Sequence, residues 1–376
     1  MVSEAKRRTL RRLSFCVFIG VSLVASGALA GEAAPAASPY AITTPNGVDE
    51  EDFVQIGGVR QWVTIRGADR ANPVLLIVGG PQVDGPGATL SPFVRTFQPW
   101  EKDFTVVQWD MRGAGKTFVA AGKTLGPDLT IDRMVEDGLE LTNYLRGRLG
   151  KPRIVLLGVN FGSTIGVKMI IAKPELFSAY VAAAQVVKSR AEIERVGYER
   201  LLRLATAADD AAALADLKAA GADVWREPRD PARVAAFMRV SVKYLGAPVP
   251  GDRMREVLGD PHWTIGDMQA GFAALPLNEQ KLGHAWAENF DFTSLGPRLA
   301  VPVFVIQGEE NTNAPAPMSK AWLDGLKAPK KVFVTMPGAG NHAMETHTAA
   351  FLGLLDQHVR PVAVAADRTG KVQQRR

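Results

Sequence analysis

Residues 154–172 are where side-chain type and spacing in this chain come closest to a reaction centre. Residues 154–157 form a continuous apolar run rich in β-branched side chains, the pattern of a strand buried on both faces. Gly158-Val159-Asn160-Phe161-Gly162 follows at once, and an apolar-periodic run continues through Ile165, Met169 and Ile170 to about residue 172. Strand, tight glycine turn and helix in immediate succession hold a nucleophile at the tip of a turn. The two glycines let strand and helix approach closely and leave residue 160 projecting above the sheet. That residue is an asparagine. Its carboxamide nitrogen shares its lone pair with the C=O group, so Asn160 cannot attack a carbonyl as an alkoxide does. It suits the turn in another way: such a tip favours φ > 0, where asparagine is among the best-tolerated non-glycine residues.

Elements on either side must position this turn. Residues 53–66 alternate as two strands around Gly57-Gly58. Residues 73–78 read as a buried strand ending in Gly79-Gly80-Pro81, followed by a loop with Asp84-Gly85-Pro86-Gly87 and a helix across 90–100. Residues 104–109 form a third strand, ending in Asp110-Met111-Arg112-Gly113-Ala114-Gly115. We expect Asp110 and Arg112 to pair beside that turn. Residues 130–149 have helical periodicity, with Thr130 and Gly150 as caps and Asp132 in the first turn. A strand at 179–183 follows. The pattern then changes at about residue 189, where alanine-rich helical stretches at 193–208 and 211–220 are broken by Pro228, Pro231, Pro248, Pro250 and Pro261. Strand and helix alternate again at 302–307, 316–326, 331–336 and 344–358. This order gives an α/β fold with a mostly parallel central sheet, helices on both faces and a helical insertion.

The N-terminus reads as an export signal. Lys6, Arg7, Arg8, Arg11 and Arg12 precede an apolar run at 15–25 and the small-residue site Ala28-Leu29-Ala30. These first thirty residues carry five basic side chains and one acidic, hence four of the chain's five net positive charges. The remainder is near neutral, which argues against a nucleic-acid surface. The single cysteine, Cys16, leaves with the signal, and disulfide or thiolate chemistry leaves with it. The expected organisation is a signal peptide at 1–30, a flexible lead-in at 31–50, a core at 51–188 and 300–361, a helical cap at 189–299 and a polar tail at 362–376. Such a protein is exported, periplasmic or secreted, with no stable membrane span once the signal is cleaved.

The order of elements resembles the α/β-hydrolase fold and, within it, the proline iminopeptidase family. The resemblance covers nearly all of the chain after the signal and places the helical insertion where that family has its cap. It is carried by Trp109-Asp110 with Arg112-Gly113-Ala114-Gly115, by Lys173-Pro174-Glu175-Leu176-Phe177, by Gln307-Gly308-Glu309-Glu310 and by Pro337-Gly338-Ala339-Gly340. It implies a serine, an aspartate and a histidine in that chain order. The positions that match hold Asn160, Asn311 and Asn341. The family's His-Gly-Gly-Pro-Gly turn, which helps form the oxyanion hole, is Val78-Gly79-Gly80-Pro81-Gln82 here, leaving Gly79, Gly80 and Phe161 as the oxyanion and pocket residues. Its Asp-Gln-Arg-Gly turn is Asp110-Met111-Arg112-Gly113.

The replacements decide what the usual mechanism can do. Asn311 accepts a hydrogen bond but supplies no charge to an imidazolium, and that Asp→Asn change alone lowers kcat about 10⁴-fold in a serine protease. Asn341 cannot shuttle a proton near neutral pH. Losing all three groups leaves at best the binding and oxyanion remnant, about 10³–10⁴ over water. The expectation is a catalytically silent scaffold that keeps a pocket for a small molecule or peptide. The alternative is an active, aminopeptidase-like hydrolase acting on N-terminal proline or amide substrates through a non-standard set such as His342 and Glu310. His342 is one residue past the base position and needs a one-residue loop shift to reach the site. Ser163 and Thr164, on the first turn of the helix, fit hydrogen bonding to its backbone. Glu192, Glu194 and Glu199 are candidates to hold a substrate amine, as acidic cap residues do in this family. His262, His284, His342, His347 and His358 lack metal-ligand spacing, so neither a metal nor a cofactor is expected.

Overall fold

The computed structural model describes residues 40–79, 94–224, 230–245, 265–283, 291–296 and 298–374. The expected signal with Cys16, residues 31–39 of the lead-in, Gly80, the 84–87 loop, His262 and His284 lie outside the described residues.

Eight strands form one sheet in the order β1-β2-β4-β3-β5-β6-β7-β8. They are β1 Val48–Ile56, β2 Val59–Gly67, β3 Val74–Val78, β4 Thr105–Asp110, β5 Ile154–Val159, β6 Phe177–Ala183, β7 Val303–Gly308 and β8 Lys331–Met336. β1 and β2 pair antiparallel from Val48↔Gly67 to Ile56↔Val59, so the hairpin closes on Gly57-Gly58 alone. Both glycines have positive φ, 54° and 77°, the requirement of a two-residue turn that follows the strand twist. β2 pairs antiparallel with β4, and every later pairing is parallel. β1 begins at Val48, inside the expected lead-in.

The helices are α1 Val94–Phe97, α2 Gly115–Ala121, α3 Ile131–Leu149, α4 Phe161–Ala172, α5 Arg190–Ala207, α6 Ala211–Ala220, α7 Pro231–Leu245, α8 Ile265–Asn278, α9 Ala316–Gly325, α10 Ala343–Thr346, α11 Thr348–Leu354 and α12 Arg360–Gln374. The caps of α3 follow the sequence: Thr130 accepts from the Arg133 N–H, and Gly150 closes the helix in the left-handed region. The central strands are buried on both faces, which splits their side chains between two cores. Leu76, Val78, Leu156 and Tyr180 pack with Trp109, Met169 and Ile165. Leu75, Ile77, Val155 and Leu157 pack with Phe97, Trp100, Phe351 and Leu355. A third apolar cluster lies within α5, α6 and α7 and includes Leu201, Leu217, Phe237 and Val240.

Three expectations are corrected. The helix expected over 344–358 is broken: α10 ends at Thr346, α11 follows, and a π-turn over Leu355–Val359 leads into α12. The segment after 361, expected as a frayed polar tail, is helical to Gln374, because Ala363 and Asp367 are buried and Asp367 Oδ2 lies 3.0 Å from Lys151 Nζ. Arg112 pairs with Asp137 of α3, not with Asp110. The Asp110 carboxylate instead accepts the Lys116 N–H at 2.7 Å, in the first turn of α2.

Candidate active site

Asn160 stands between β5 and α4 with φ 48° and ψ −120°, a sterically strained pair of angles for a residue with a Cβ. The turn is over-determined. Asn160 N–H donates to the Ala183 carbonyl at 2.9 Å, and its own carbonyl accepts from the Ser163 N–H at 2.9 Å and the Ser163 hydroxyl at 2.6 Å. A Cβ on Gly162 would overlap the carbonyls of Val78 and Gly79, and one on Gly158 would stand 2.7 Å from Ser163 Cα. Gly79, at the end of β3, thus lies directly against α4. The Phe161 ring is buried in the core.

Below the turn runs a buried polar network that sequence reasoning missed. Ser163 Oγ accepts from Gln185 Nε2 at 3.2 Å and from the Val186 N–H at 3.0 Å. The Tyr180 hydroxyl lies 2.7 Å from Gln185 Oε1 and 3.1 Å from the Ser163 carbonyl, and burial pushes its pKa well above the ordinary range, so it stays a neutral donor. Ser319 of α9 donates to the Gln185 carbonyl at 2.9 Å. The turn, the exit of β6 and α9 are thereby one hydrogen-bonded unit. Thr164 donates to the Phe161 carbonyl at 2.7 Å, a helix-backbone bond of the kind its position suggests. The only signal in the sequence is that polar Gln185 directly follows an apolar strand.

Asn311 and Asn341 stand past β7 and β8, at the same carboxyl edge of the sheet as Asn160. Asn311 is 2% exposed, and its Oδ1 accepts the Ala314 N–H at 2.8 Å. Gln307 closes the same loop by donating to the Ala314 carbonyl. Asn341 Oδ1 accepts the N–H groups of Thr312 at 2.7 Å and Asn313 at 3.2 Å, while its Nδ2 donates to Thr312 Oγ1 at 3.1 Å. The Glu310 N–H donates to the Ala339 carbonyl at 2.9 Å. The loops that would carry acid and base are therefore joined, by carboxamide and backbone.

His342 heads α10. Its carbonyl accepts from the Glu345 and Thr346 N–H groups, and its Nδ1 lies 3.9 Å from Glu345 Oε1. The side chains of Glu309 and Glu310 belong to exposed residues of the β7 loop. Of the three carboxylates expected to hold a substrate amine, Glu194 pairs with Arg190 at 2.6 Å and Glu199 with Arg195, each across one helical turn of α5. Glu192 lies in the first turn, where Ser189 caps the helix; the bond to Asp291, and after it the charges of Asp291 and Glu192, raise the pKa of Lys188. The Lys188 ammonium bonds Asp291 at 2.8 Å, which ties the segment after β6 to the segment before β7. Among the described residues, no group of three or more His, Cys, Asp or Glu side chains is placed to hold a metal ion. None of their helices is long and apolar enough to cross a membrane.

A mostly parallel eight-stranded sheet whose β5–α4 turn holds a positive-φ residue defines the α/β-hydrolase fold. Within that fold the chain resembles the proline iminopeptidases. It is 25% identical over 314 residues to the probable aminopeptidase YbaC of Bacillus subtilis, spanning 82% of this chain and 95% of that protein. Proline iminopeptidase of Mycobacterium smegmatis superposes with a TM-score of 0.59 at 18% identity, over 85% of this chain and 100% of that one. A proline iminopeptidase-related protein of Thermus thermophilus gives 0.54 at 21% identity, over 86% of this chain and 99% of that one. No protein-family model matches the chain.

Proposed function

We propose that this is an exported α/β-hydrolase-fold protein that binds a small molecule or peptide beneath its helical cap without covalent turnover. One observation carries the reading. The three positions that match the family's serine, aspartate and histidine all hold carboxamides, and two of them are spent on loop backbone: Asn311 on Ala314, Asn341 on Thr312 and Asn313. A carboxamide neither attacks a carbonyl nor carries a proton near neutral pH. The likeness to a probable aminopeptidase supports a peptide with a free N-terminus as the ligand class. The basic-then-apolar N-terminus supports export.

A second reading is favoured by the His342–Glu345 approach of 3.9 Å. Here the protein is a hydrolase whose histidine sits one residue past the usual base position with the Glu345 carboxylate close by. The two readings part in one assay: hydrolysis of a proline aminoacyl reporter by the native chain, by Asn160→Ser and by Asn160→Ser/Asn311→Asp/Asn341→His. A silent native chain with turnover in the triple variant fits a scaffold that lost only its chemistry. Turnover by the native chain that disappears in His342→Ala overturns the binding-only reading.

A further inference from the structure

The angles of Asn160 have a chemical consequence that does not depend on how the site is used. An asparagine can cyclise when the backbone nitrogen of the next residue attacks its Cγ. The five-membered ring that results must hold that nitrogen, the carbonyl carbon, Cα, Cβ and Cγ nearly in one plane. Planarity requires the next nitrogen to eclipse Cβ about the Cα–C bond. The tetrahedral Cα sets Cβ a third of a turn from its own nitrogen, on the side that a ψ of −120° reaches. Asn160 has ψ −120° and φ 48°. Its backbone already has the shape of the cyclic product about the Cα–C bond.

Two further features favour the step. Asn160 Oδ1 is buried and has no hydrogen-bond partner, whereas the Oδ1 atoms of Asn311 and Asn341 are each held by backbone N–H groups. The Asn160 carboxamide oxygen is thus the one of the three that no bond pins away from the ring. The attacked carbonyl also stands at the N-terminus of the twelve-residue helix α4, whose dipole favours the negative charge that develops during addition. In flexible peptides a bulky residue after asparagine slows cyclisation by restricting the search for this geometry. Here the fold has fixed the backbone part of that search, which is the entropic advantage of preorganisation.

We infer that Asn160–Phe161 is a self-modification site. Phe161 N bonds to Asn160 Cγ, the Cγ–Nδ2 bond breaks, and ammonia leaves with the former amide proton, giving a succinimide. Water then adds to either imide carbonyl and yields aspartate or isoaspartate at position 160. A neutral residue at the turn is thereby replaced by a carboxylate, or by a backbone lengthened by one carbon.

The test uses the full chain in mildly alkaline buffer, native in one arm and in denaturing urea in the other, followed by tryptic mapping. The tryptic peptide of residues 154–168 contains one asparagine and no glutamine, so its deamidation reports residue 160 alone. We expect it to deamidate at least ~10-fold faster in the native arm than in urea, and faster than peptides carrying Asn311 or Asn341, as a preset backbone geometry requires. We also expect isoaspartate among the products, a hydroxylamine adduct that traps the imide, and none of these in Asn160→Gln, where the ring would need an extra atom. Equal or slower conversion in the folded chain, or aspartate formed with neither isoaspartate nor a hydroxylamine adduct, overturns the inference.

Discussion

Asn341 Oδ1 accepts the Thr312 N–H at 2.7 Å, so the position that matches a hydrolase base serves as a clasp on the loop that would carry the acid. Removing that acceptor leaves the Thr312 and Asn313 N–H groups without their partner. Asn341→Ala should lower unfolding free energy by about 1–3 kcal/mol in urea titrations, the cost of an unsatisfied, partly buried donor at Thr312. Asn341→Asp keeps an acceptor oxygen and should retain most of the stability. Equal losses in both variants would count against the clasp.

Ala184 has φ 61° and is 5% exposed, one residue past β6 and beside the Asn160 turn. A left-handed conformation costs a non-glycine residue about 1–2 kcal/mol. Ala184→Gly should therefore stabilise the protein by about 0.5–1 kcal/mol, after allowing for the greater unfolded-state entropy of glycine. Ala184→Val should destabilise it, because a β-branched side chain fits this conformation least. Chemical denaturation of the two variants gives the signs directly.

Asp137 is fully buried and accepts from Arg112, from Gln61 at 2.7 Å and from Arg133 at 2.9 Å. Asp137→Ala strands the buried Arg112 guanidinium and should cost about 3–5 kcal/mol. Arg133→Ala removes the more exposed partner and should cost under ~1 kcal/mol. The contrast is measurable by calorimetry on the same preparation.

Two carboxylates should respond to acid with opposite signs. Lys243, the Ala213 N–H and Tyr244 lower the pKa of Asp210 from 3.8 to about 2. Its contribution to holding α6 against α7 is present above its ordinary pKa and is lost as pH falls toward about 2. Hydrogen exchange in α6 and α7 should accelerate over that interval, and Asp210→Asn should flatten the response. Burial, and then the Asp103 charge, raise the pKa of Asp356. Although Lys102 Nζ lies 3.5 Å from Asp103 Oδ2, a buried oxygen of each carboxylate, Asp103 Oδ2 and Asp356 Oδ1, has no hydrogen-bond partner. Protonating Asp356 relieves their repulsion, so this group adds stability as pH falls through its raised pKa. Asp356→Asn should raise the melting temperature at neutral pH and remove that gain.

Local signals made much of the fold readable before any coordinates. Apolar runs located the central strands, Gly57-Gly58 marked the hairpin, and Thr130 and Gly150 bounded α3, because each acts within a few residues. The turn at Asn160 was legible for the same reason. What stayed hidden depends on neighbours distant in sequence. Arg112 finds Asp137 on a helix 25 residues on, a partner its own turn does not announce. The C-terminal helix is polar by composition, and only the seat that Lys151 provides for Asp367 makes it part of the structure. Glu345 lies three residues past His342, a helical spacing, but the short helix that brings it near His342 left no periodic trace.

The helix α5 begins with Ile193 in the main core and continues to Leu201 and Ala205 in the separate cluster shared with α6 and α7. A chain with two apolar nuclei need not lose both at once. The three-helix part can open while the sheet stays closed, at a free energy set by its own few contacts. Heat or denaturant should then find two levels of resistance in one polypeptide. A protease present at low concentration should sever the helical part long before it reaches the strands.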